Sequence, residues 1–312
     1  MNQEEKIAAY KAITSSLDET FDYINNFCRD VLKTRGGRIG SGMGSLLEAL
    51  WGYEMNKVLS EKGFDSCELA WFPSHQYHDF ACVQASKDWN PETGEGEYFR
   101  VEAKSMNSGA DESKAHFDVL NAELDEYDAL LLLVWSWVDI DEYHCCPQVT
   151  DSFFANAKPI TQLRDALHIE RGGTFVDSNS CPDGCDTLTC RHNGEPLNEQ
   201  GKRERLSGPE STRPSAKVAY AANFGGLVRM LKTRGESAKQ TFRNLRRSDD
   251  IIDAYISFIH RHYPSEELNY FSVSEWREIG RNSGIDSSGM SKQEIRNSIA
   301  NNENYHEIIR WV

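Results

Sequence analysis

The chain has a shortage of positive charge. Its 312 residues include 34 Lys and Arg against 49 Asp and Glu, so its formal net charge is −15. Taken over the whole chain, this balance argues against non-specific binding of polyanions, because repulsion from phosphates would slow every encounter. Residues 200–247 differ from the rest, with twelve Lys and Arg against three acids. A basic segment on an acidic body is compatible with a nucleic-acid partner.

Long apolar runs are also missing. The longest run, residues 129–135, is much shorter than the ~20 residues that a membrane-spanning helix needs. No apolar leader follows Met1, so we expect a soluble, cytoplasmic protein with no membrane partner. In that compartment the eight cysteines are expected to be thiols or metal ligands and not a disulfide framework.

Hydrophobic periodicity predicts the order of the secondary-structure elements. The predicted elements are a helix over 3–33, a helix over 44–62 ended by Gly63, strands over 67–72, 77–84 and 98–103, a helix over 112–127, and a strand over 129–138. The last strand is apolar on both sides, which is typical of a central strand covered by helices on both faces. This order predicts a mixed α/β core.

The peptide EYFRVEAKSM places an acid and a base on a strand that is otherwise suited to burial. Successive side chains of a strand point to opposite faces, so Arg100, Glu102 and Lys104 share one face, which we expect to line a solvent-reachable cleft. Asp79 begins the preceding apolar strand, which is close enough in sequence to pair with this one. Two carboxylates suit Mg²⁺, and a neighbouring lysine can position water and offset charge on a reacting phosphate.

Asp79, followed by Glu102, Ala103 and Lys104, resembles the PD-(D/E)xK motif of the restriction-endonuclease-like nuclease superfamily. His78 stands where the motif has proline, a substitution that the superfamily commonly shows. The resemblance implies that Asp79 and Glu102 are Mg²⁺ ligands and that Lys104 is the catalytic lysine. The alternative interpretation is a surface ion pair for Glu102 and Lys104 and a turn-capping role for Asp79.

The resemblance covers roughly residues 40–140 and implies a mixed central sheet flanked by helices. The superfamily often adds a glutamate from the helix before the strands, and Glu48 and Glu54 are the two candidates. Glu54 lies near the centre of the apolar arc of that helix, whereas Glu48 lies at its edge, where a side chain can face a cleft. Glu48 is therefore the preferred third carboxylate and Mg²⁺ ligand.

The glycine-rich stretch GSGMGS lacks the features of two familiar phosphate-binding loops. No strand precedes it and its third glycine is misplaced for a dinucleotide fingerprint, and no Gly-Lys-Ser/Thr follows for a P-loop. Arg35 and Arg38, beside this stretch, are candidates for contact with a DNA phosphate. A plain connection between two helices is an equal alternative.

Potential metal ligands are crowded between residues 144 and 192. The simplest zinc set is Cys181, Cys185, Cys190 and His192, because zinc requires four tetrahedral nitrogen or sulfur donors. His144, Cys145 or Cys146 could replace one member. Because residues 144–215 are rich in Cys, Gly, Pro and Asn, a structural zinc could there replace a missing core. Unconnected free thiols are the alternative.

The basic segment and the C-terminal tail carry further candidates for DNA binding. Helical periodicity from 216 to 262 includes Arg229, Lys232 and Arg243, although a solvated helix face would show the same pattern. Residues 270–299 read as helix, glycine-containing loop and helix, which loosely resembles SAP and helix-extended-loop-helix modules. That resemblance implies a phosphate contact by Lys292 at the start of the second helix, and a helical hairpin packed on the core is the alternative.

These observations predict an α/β protein in three parts: a nuclease core over 1–143, a Cys-rich, zinc-binding region over 144–215 and a basic helical region over 216–312. The expected activity is Mg²⁺-dependent cleavage of double-stranded DNA, as in a type II restriction endonuclease. Such enzymes usually act as homodimers on palindromic DNA. A repair or recombination nuclease and a non-catalytic, zinc-containing DNA-binding protein are the alternatives.

Overall fold

The chain was analysed as a computed structural model. The structure describes residues 3–37, 42–73, 78–108, 117, 121, 124–170, 189–190, 195–196, 226–231, 236–262 and 273–301. Among these residues, no helix is both long enough and apolar enough to cross a lipid bilayer.

Three helices begin the chain: α1 (Gln3–Thr14), α2 (Leu17–Val31) and α3 (Met43–Glu61). The prediction of one helix over 3–33 is wrong, because the chain breaks between α1 and α2. At the break the Ser15 hydroxyl donates to the carbonyl oxygen of Ala12, and Ser16 N–H donates to that of Ile13, a tighter turn than an α-helix makes. The second predicted helix is confirmed as α3, and it is followed by Gly63 at φ +74°, a conformation that favours glycine.

Five strands form one mixed sheet: β1 (Cys67–Trp71), β2 (Phe80–Gln84), β3 (Glu97–Asn107), β4 (Ala129–Asp139) and β5 (Cys145–Asn156). Their spatial order follows the chain, and only the β3–β4 pair is parallel. The predicted α/β class is therefore confirmed. The predicted helix over 112–127 lies mostly outside the described residues, and its last four residues, 124–127, form an irregular turn.

Strand β4 is buried on both faces of the sheet, as its uninterrupted hydrophobicity predicted. Leu131 and Leu133 belong to the cluster that α1, α2 and α3 build on one face of the sheet. Leu130 and Leu132 belong to the cluster on the other face, to which later helices contribute. All four side chains are fully buried, so β4 stabilises both layers.

The segment predicted as a Cys-rich region begins with regular structure. Strand β5 pairs with β4 along its length and is followed by α4 (Ala157–Glu170). The central sheet therefore continues past residue 143, into the segment that was predicted to be Cys-rich. The sequence CCPQVTDSFFAN was not predicted as a strand, because its apolar and polar residues do not alternate regularly. Two two-residue strands, β6 (Thr189–Cys190) and β7 (Glu195–Pro196), pair with each other.

In the C-terminal part, most of the described residues lie in helices, as predicted. It contains a 3₁₀ turn (Arg229–Leu231), α5 (Glu236–Ser248), α6 (Asp250–His262), α7 (Val273–Asn282) and α8 (Lys292–Ala300). Ser291 caps α8 through a reciprocal pair of hydrogen bonds with Glu294. Trp276 of α7 and Ile295 of α8 are fully buried in the same hydrophobic cluster as Leu132. The α7–α8 hairpin thus contributes to the main core.

Candidate active site

The pairing of β2 with β3 brings Asp79 next to the acid and the base of β3. The last matched pair of the two strands is Phe80 with Val101, and Asp79 comes directly before Phe80. Its backbone N–H donates to the carbonyl oxygen of Val101 at 3.2 Å, and its carboxylate Oδ2 accepts from the N–H of Ala103 at 2.9 Å. The Asp79 carboxylate therefore binds the backbone of β3 just beyond the point where β2 stops pairing with it.

The Lys104 ammonium lies between two carboxylates. Its Nζ is 2.5 Å from Glu102 Oε1 and 3.5 Å from Asp79 Oδ2, and it donates to the carbonyl oxygen of Ala103 at 3.1 Å. The structure thus brings together the three residues of the predicted motif. The side chain of Glu102 is only 7% exposed, so its ion pair with Lys104 is not the surface pair of the alternative interpretation.

The surroundings of Lys104 keep it protonated. Burial alone would lower the pKa of its ammonium, but the charges of Glu102 and Asp79 and the hydrogen bond with Glu102 outweigh burial and raise the pKa above its usual range. As a cation, Lys104 can hold the carboxylates together, orient a water molecule through its N–H groups and offset negative charge. Its cationic state does not suit proton abstraction.

Helix α3 brings Glu48 to the same place. The carboxylate of Glu48 is close enough to Lys104, Ser105 and Asp79 for all three to affect its pKa. Burial is the largest effect on it and raises its pKa, with the charge of Asp79 adding to the rise and Lys104 and Ser105 opposing it. Glu54, the other candidate, is buried on α3 and lies 3.8 Å from Lys57 Nζ.

The site is more enclosed than the predicted open cleft. Glu102 is buried at 5% exposure and Lys104 is half-buried, because their face of β3 continues into Met106 and packs in the same layer as Leu130 and Leu132 of β4. The expectation of a polar face open to solvent is therefore wrong for Glu102. Asp79, whose side chain is 33% exposed, is the most accessible carboxylate of the motif.

Two residues of the site, Ser105 and His78, were not predicted to take part in it. Ser105, next to Lys104 on β3, opposes the rise in the pKa of the Glu48 carboxyl. His78 is 3% exposed, and burial, followed by the charges of Arg100 and Lys104, lowers the pKa of its imidazole to about 3. Its Nδ1 finds no hydrogen-bond partner among the described residues. A serine after Glu-x-Lys and a histidine before Asp are sequence signals too common to single out.

The site supplies two carboxylates of the kind that Mg²⁺ prefers. Mg²⁺ is commonly held by one or two carboxylates, with water and substrate oxygens completing its octahedron. Asp79 and Glu102 both contact the Lys104 ammonium, so their oxygens already surround one positive charge. In the described part of the chain, no three His, Cys, Asp or Glu side chains form a group that could hold a metal ion. The arrangement therefore offers two carboxylates, with Glu48 nearby.

The zinc prediction falls mainly outside the described residues. Cys181, Cys185 and His192 are not among them, and of Cys190 only the backbone in β6 is described. The possible substitutes Cys145 and Cys146 are free thiols buried in β5. The third possible substitute, His144, binds Asp141 through Nδ1 at 2.7 Å.

The predicted DNA contacts are scattered over several elements. The guanidinium of Arg35 lies over the ring of Tyr143, 5.7 Å from its centroid, beside the turn between β4 and β5. Arg243 is a half-buried residue of α5. Arg38 and Lys232 lie outside the described residues, and only the backbones of Arg229 and Lys292 are described. Nothing in the structure assigns these residues to DNA.

No protein-family model, curated protein sequence or solved structure matches this chain.

Proposed function

We propose that this chain is a Mg²⁺-dependent endonuclease that hydrolyses phosphodiester bonds of double-stranded DNA. The observation that carries the proposal is the meeting of Asp79, Glu102 and Lys104 where β2 and β3 separate. The motif resemblance and a mixed sheet with a parallel β3–β4 pair support it. The biological role that we propose is type II restriction, performed by a homodimer on palindromic DNA.

The roles of the residues follow from their charges. Asp79 and Glu102 would hold Mg²⁺, which when bound polarises a phosphate oxygen and lowers the pKa of a water molecule. Lys104 donates hydrogen bonds and places a fixed positive charge within reach of the same carboxylates, where it can orient the attacking water and offset charge on the phosphate. Glu48 lies close enough to Lys104 and Asp79 to interact with both charges.

The direct test is cleavage of plasmid and unmethylated phage DNA by the purified protein with Mg²⁺ and with EDTA. We expect cleavage that requires Mg²⁺ and that falls by at least about a hundredfold in Asp79→Asn, Glu102→Gln and Lys104→Met, since groups that act together on charge in the transition state contribute at least that much. The matched controls are Asp88→Asn and Glu92→Gln, which neutralise exposed carboxylates and should cut like the wild type.

The pattern of products separates the proposed role from its alternatives. Discrete fragments of phage DNA support restriction, whereas nicking confined to branched DNA would favour a repair nuclease and overturn the restriction role. Full cutting by Asp79→Asn and Glu102→Gln would overturn the site. Absence of any cutting, combined with tight DNA binding, would favour the non-catalytic alternative.

A further inference from the structure

The central sheet has two outer strands, and an asparagine side chain from a neighbouring helix bonds to each of them. β1 and β5 are the two ends of the sheet, so no described strand pairs with their outer sides. The outer side of such a strand carries backbone N–H and C=O groups that can pair with a strand of another chain. Natural proteins block these edges in several ways, and the hydrogen bonds of β1 and β5 show which ways this chain uses.

On β1, the side-chain amide of Asn56 imitates one residue of a neighbouring strand. Asn56 Oδ1 accepts from the N–H of Leu69 at 2.6 Å, and Asn56 Nδ2 donates to the carbonyl oxygen of Leu69 at 2.8 Å. Two residues of adjacent antiparallel strands exchange the same pair of bonds. The backbone groups of every second residue face outward, so Leu69 is the middle one of three outward positions, between Cys67 and Trp71. Helix α3 therefore occupies the centre of this short edge.

On β5, which is the longer of the two outer strands, three successive outward positions are blocked. The amide of Asn25 on α2 accepts from Val149 N–H at 2.8 Å and donates to the carbonyl oxygen of Val149 at 3.0 Å. Four residues earlier, Cys145 exchanges two backbone hydrogen bonds with Thr34, at 2.8 and 2.9 Å. The outward position between them belongs to Pro147, whose backbone has no N–H group. Both edges thus carry an asparagine amide, and β5 has two further blocks.

We propose that Asn56 and Asn25 are edge caps that prevent the sheet from pairing with a second copy of the chain. Each amide bonds both polar groups of one strand residue, so an incoming strand meets no continuous row of partners. Among the described residues, Asn56 is the only side chain that bonds to the backbone of β1, whereas Asn25 acts together with Thr34 and Pro147. The inference does not depend on the proposed nuclease activity, and it implies that a homodimer forms through surfaces other than these edges.

The test is sedimentation velocity of the full chain over a range of protein concentrations, with circular dichroism and thermal unfolding as checks on folding. Asn56→Ala should form species larger than those of the wild type, in a proportion that rises with concentration, because it frees the middle of the β1 edge. Its melting temperature should also fall, by about 2–6 °C, since two polar groups of Leu69 lose their partners. Asn26→Ala, which removes an exposed amide on α2, is the matched control and should behave like the wild type.

Two substitutions at Trp71 identify the surface through which Asn56→Ala associates. Trp71 is 51% exposed, and its N–H group faces outward like that of Leu69. In the Asn56→Ala background, Trp71→Pro removes this N–H group and should restore the sedimentation of the wild type, whereas Trp71→Val keeps the N–H group and should not. Restoration by both changes would assign the association to the exposed indole, and restoration by neither would assign it to another surface. Either result would overturn the inference.

The β5 edge provides an independent result. Asn25→Ala alone and Pro147→Val alone should sediment like the wild type, because two of the three blocks remain in each variant. The double variant opens two neighbouring outward positions and should form larger species. Wild-type sedimentation of the folded Asn56→Ala variant, or of the double variant, would overturn the inference for the edge concerned. If Asn56→Ala does not fold, the double variant decides the inference by itself.

Discussion

Lys104 Nζ lies 2.5 Å from Glu102 Oε1, and the same ammonium lies 3.5 Å from Asp79 Oδ2. A positive charge therefore already occupies the space between the two carboxylates that would bind a divalent cation. The ammonium offsets the repulsion between these acids and so stabilises the site without a metal. Any added cation has to share these oxygens with Lys104 or displace it from them.

The first prediction concerns this competition. Lys104→Met should bind Mn²⁺ more tightly than the wild type, by at least about fivefold, because two unit charges 4 Å apart repel by about 1 kcal/mol even in water. The same variant should not cleave DNA, since it lacks the charge and the donors at the phosphate. Calorimetric titration and a plasmid cleavage assay measure the two effects.

The control for this variant is Lys57→Met, which removes an ammonium that lies 3.8 Å from Glu54 on α3. It should leave both cleavage and Mn²⁺ affinity close to those of the wild type. Equal or weaker Mn²⁺ binding by Lys104→Met would show that the ammonium does not compete for the carboxylates.

The second prediction is that the charge of Glu48 lowers the free energy of unfolding at pH 7. Burial raises the pKa of Glu48, so its contribution to stability is present below the pKa of the unfolded chain, where the carboxyl is protonated, and is lost as pH rises through the higher folded-state pKa. At pH 7 the charged form therefore costs free energy. Glu48→Gln should unfold at a temperature about 2 °C higher at pH 7, an effect of less than about 1 kcal/mol, while it cleaves DNA more slowly.

Thermal unfolding in EDTA at pH 7 measures this effect. Glu68→Gln, an exposed carboxylate on β1, provides the comparison and should leave the melting temperature unchanged. A lower melting temperature for Glu48→Gln would mean that the charge of Glu48 gains more stability from Lys104 and Ser105 than its burial costs.

Local patterns predicted most of the core and part of the site. The unbroken apolar run of β4 and the two-residue spacing of Glu102 and Lys104 are properties of single strands, and such properties can be read from the sequence. The edge of β3 that binds the Asp79 carboxylate cannot be predicted in this way, because it depends on where β2 stops pairing. Strand β5 was missed for a related reason, since its sequence shows no regular alternation of apolar and polar residues and only its pairing with β4 reveals it.

The third prediction uses the burial of His78. Its pKa is lowered to about 3 in the folded protein by burial and by the charges of Arg100 and Lys104, whereas it is about 6.5 in an unfolded chain. Its contribution to stability is therefore complete above about pH 6.5 and is lost as pH falls toward 3, by up to about 1.4 kcal/mol per pH unit. His78→Gln should remove this slope.

Urea unfolding in EDTA at several pH values between 4 and 7 gives the free energy of unfolding at each pH. The slope of that free energy against pH is the relevant quantity, because it does not depend on the overall stability of the variant. Identical slopes for His78→Gln and the wild type would mean that His78 becomes protonated in the folded protein within this range.

The fourth prediction distinguishes a packed hairpin from an independent DNA-binding module in the α7–α8 region. Trp276 is fully buried in the hydrophobic cluster that includes Leu132 of β4. Trp276→Ala should therefore lower the free energy of unfolding by about 3–5 kcal/mol, the usual cost of removing a buried aromatic ring. Val273→Ala, which truncates an exposed side chain on the same helix, should change the free energy of unfolding by less than about 0.5 kcal/mol.

If Trp276→Ala instead gave a separate early transition and left the main one unchanged, the hairpin would be a unit that unfolds apart from the sheet, as an appended DNA-binding module would. A single cooperative transition, shifted as a whole, is the result that packing in the main core requires.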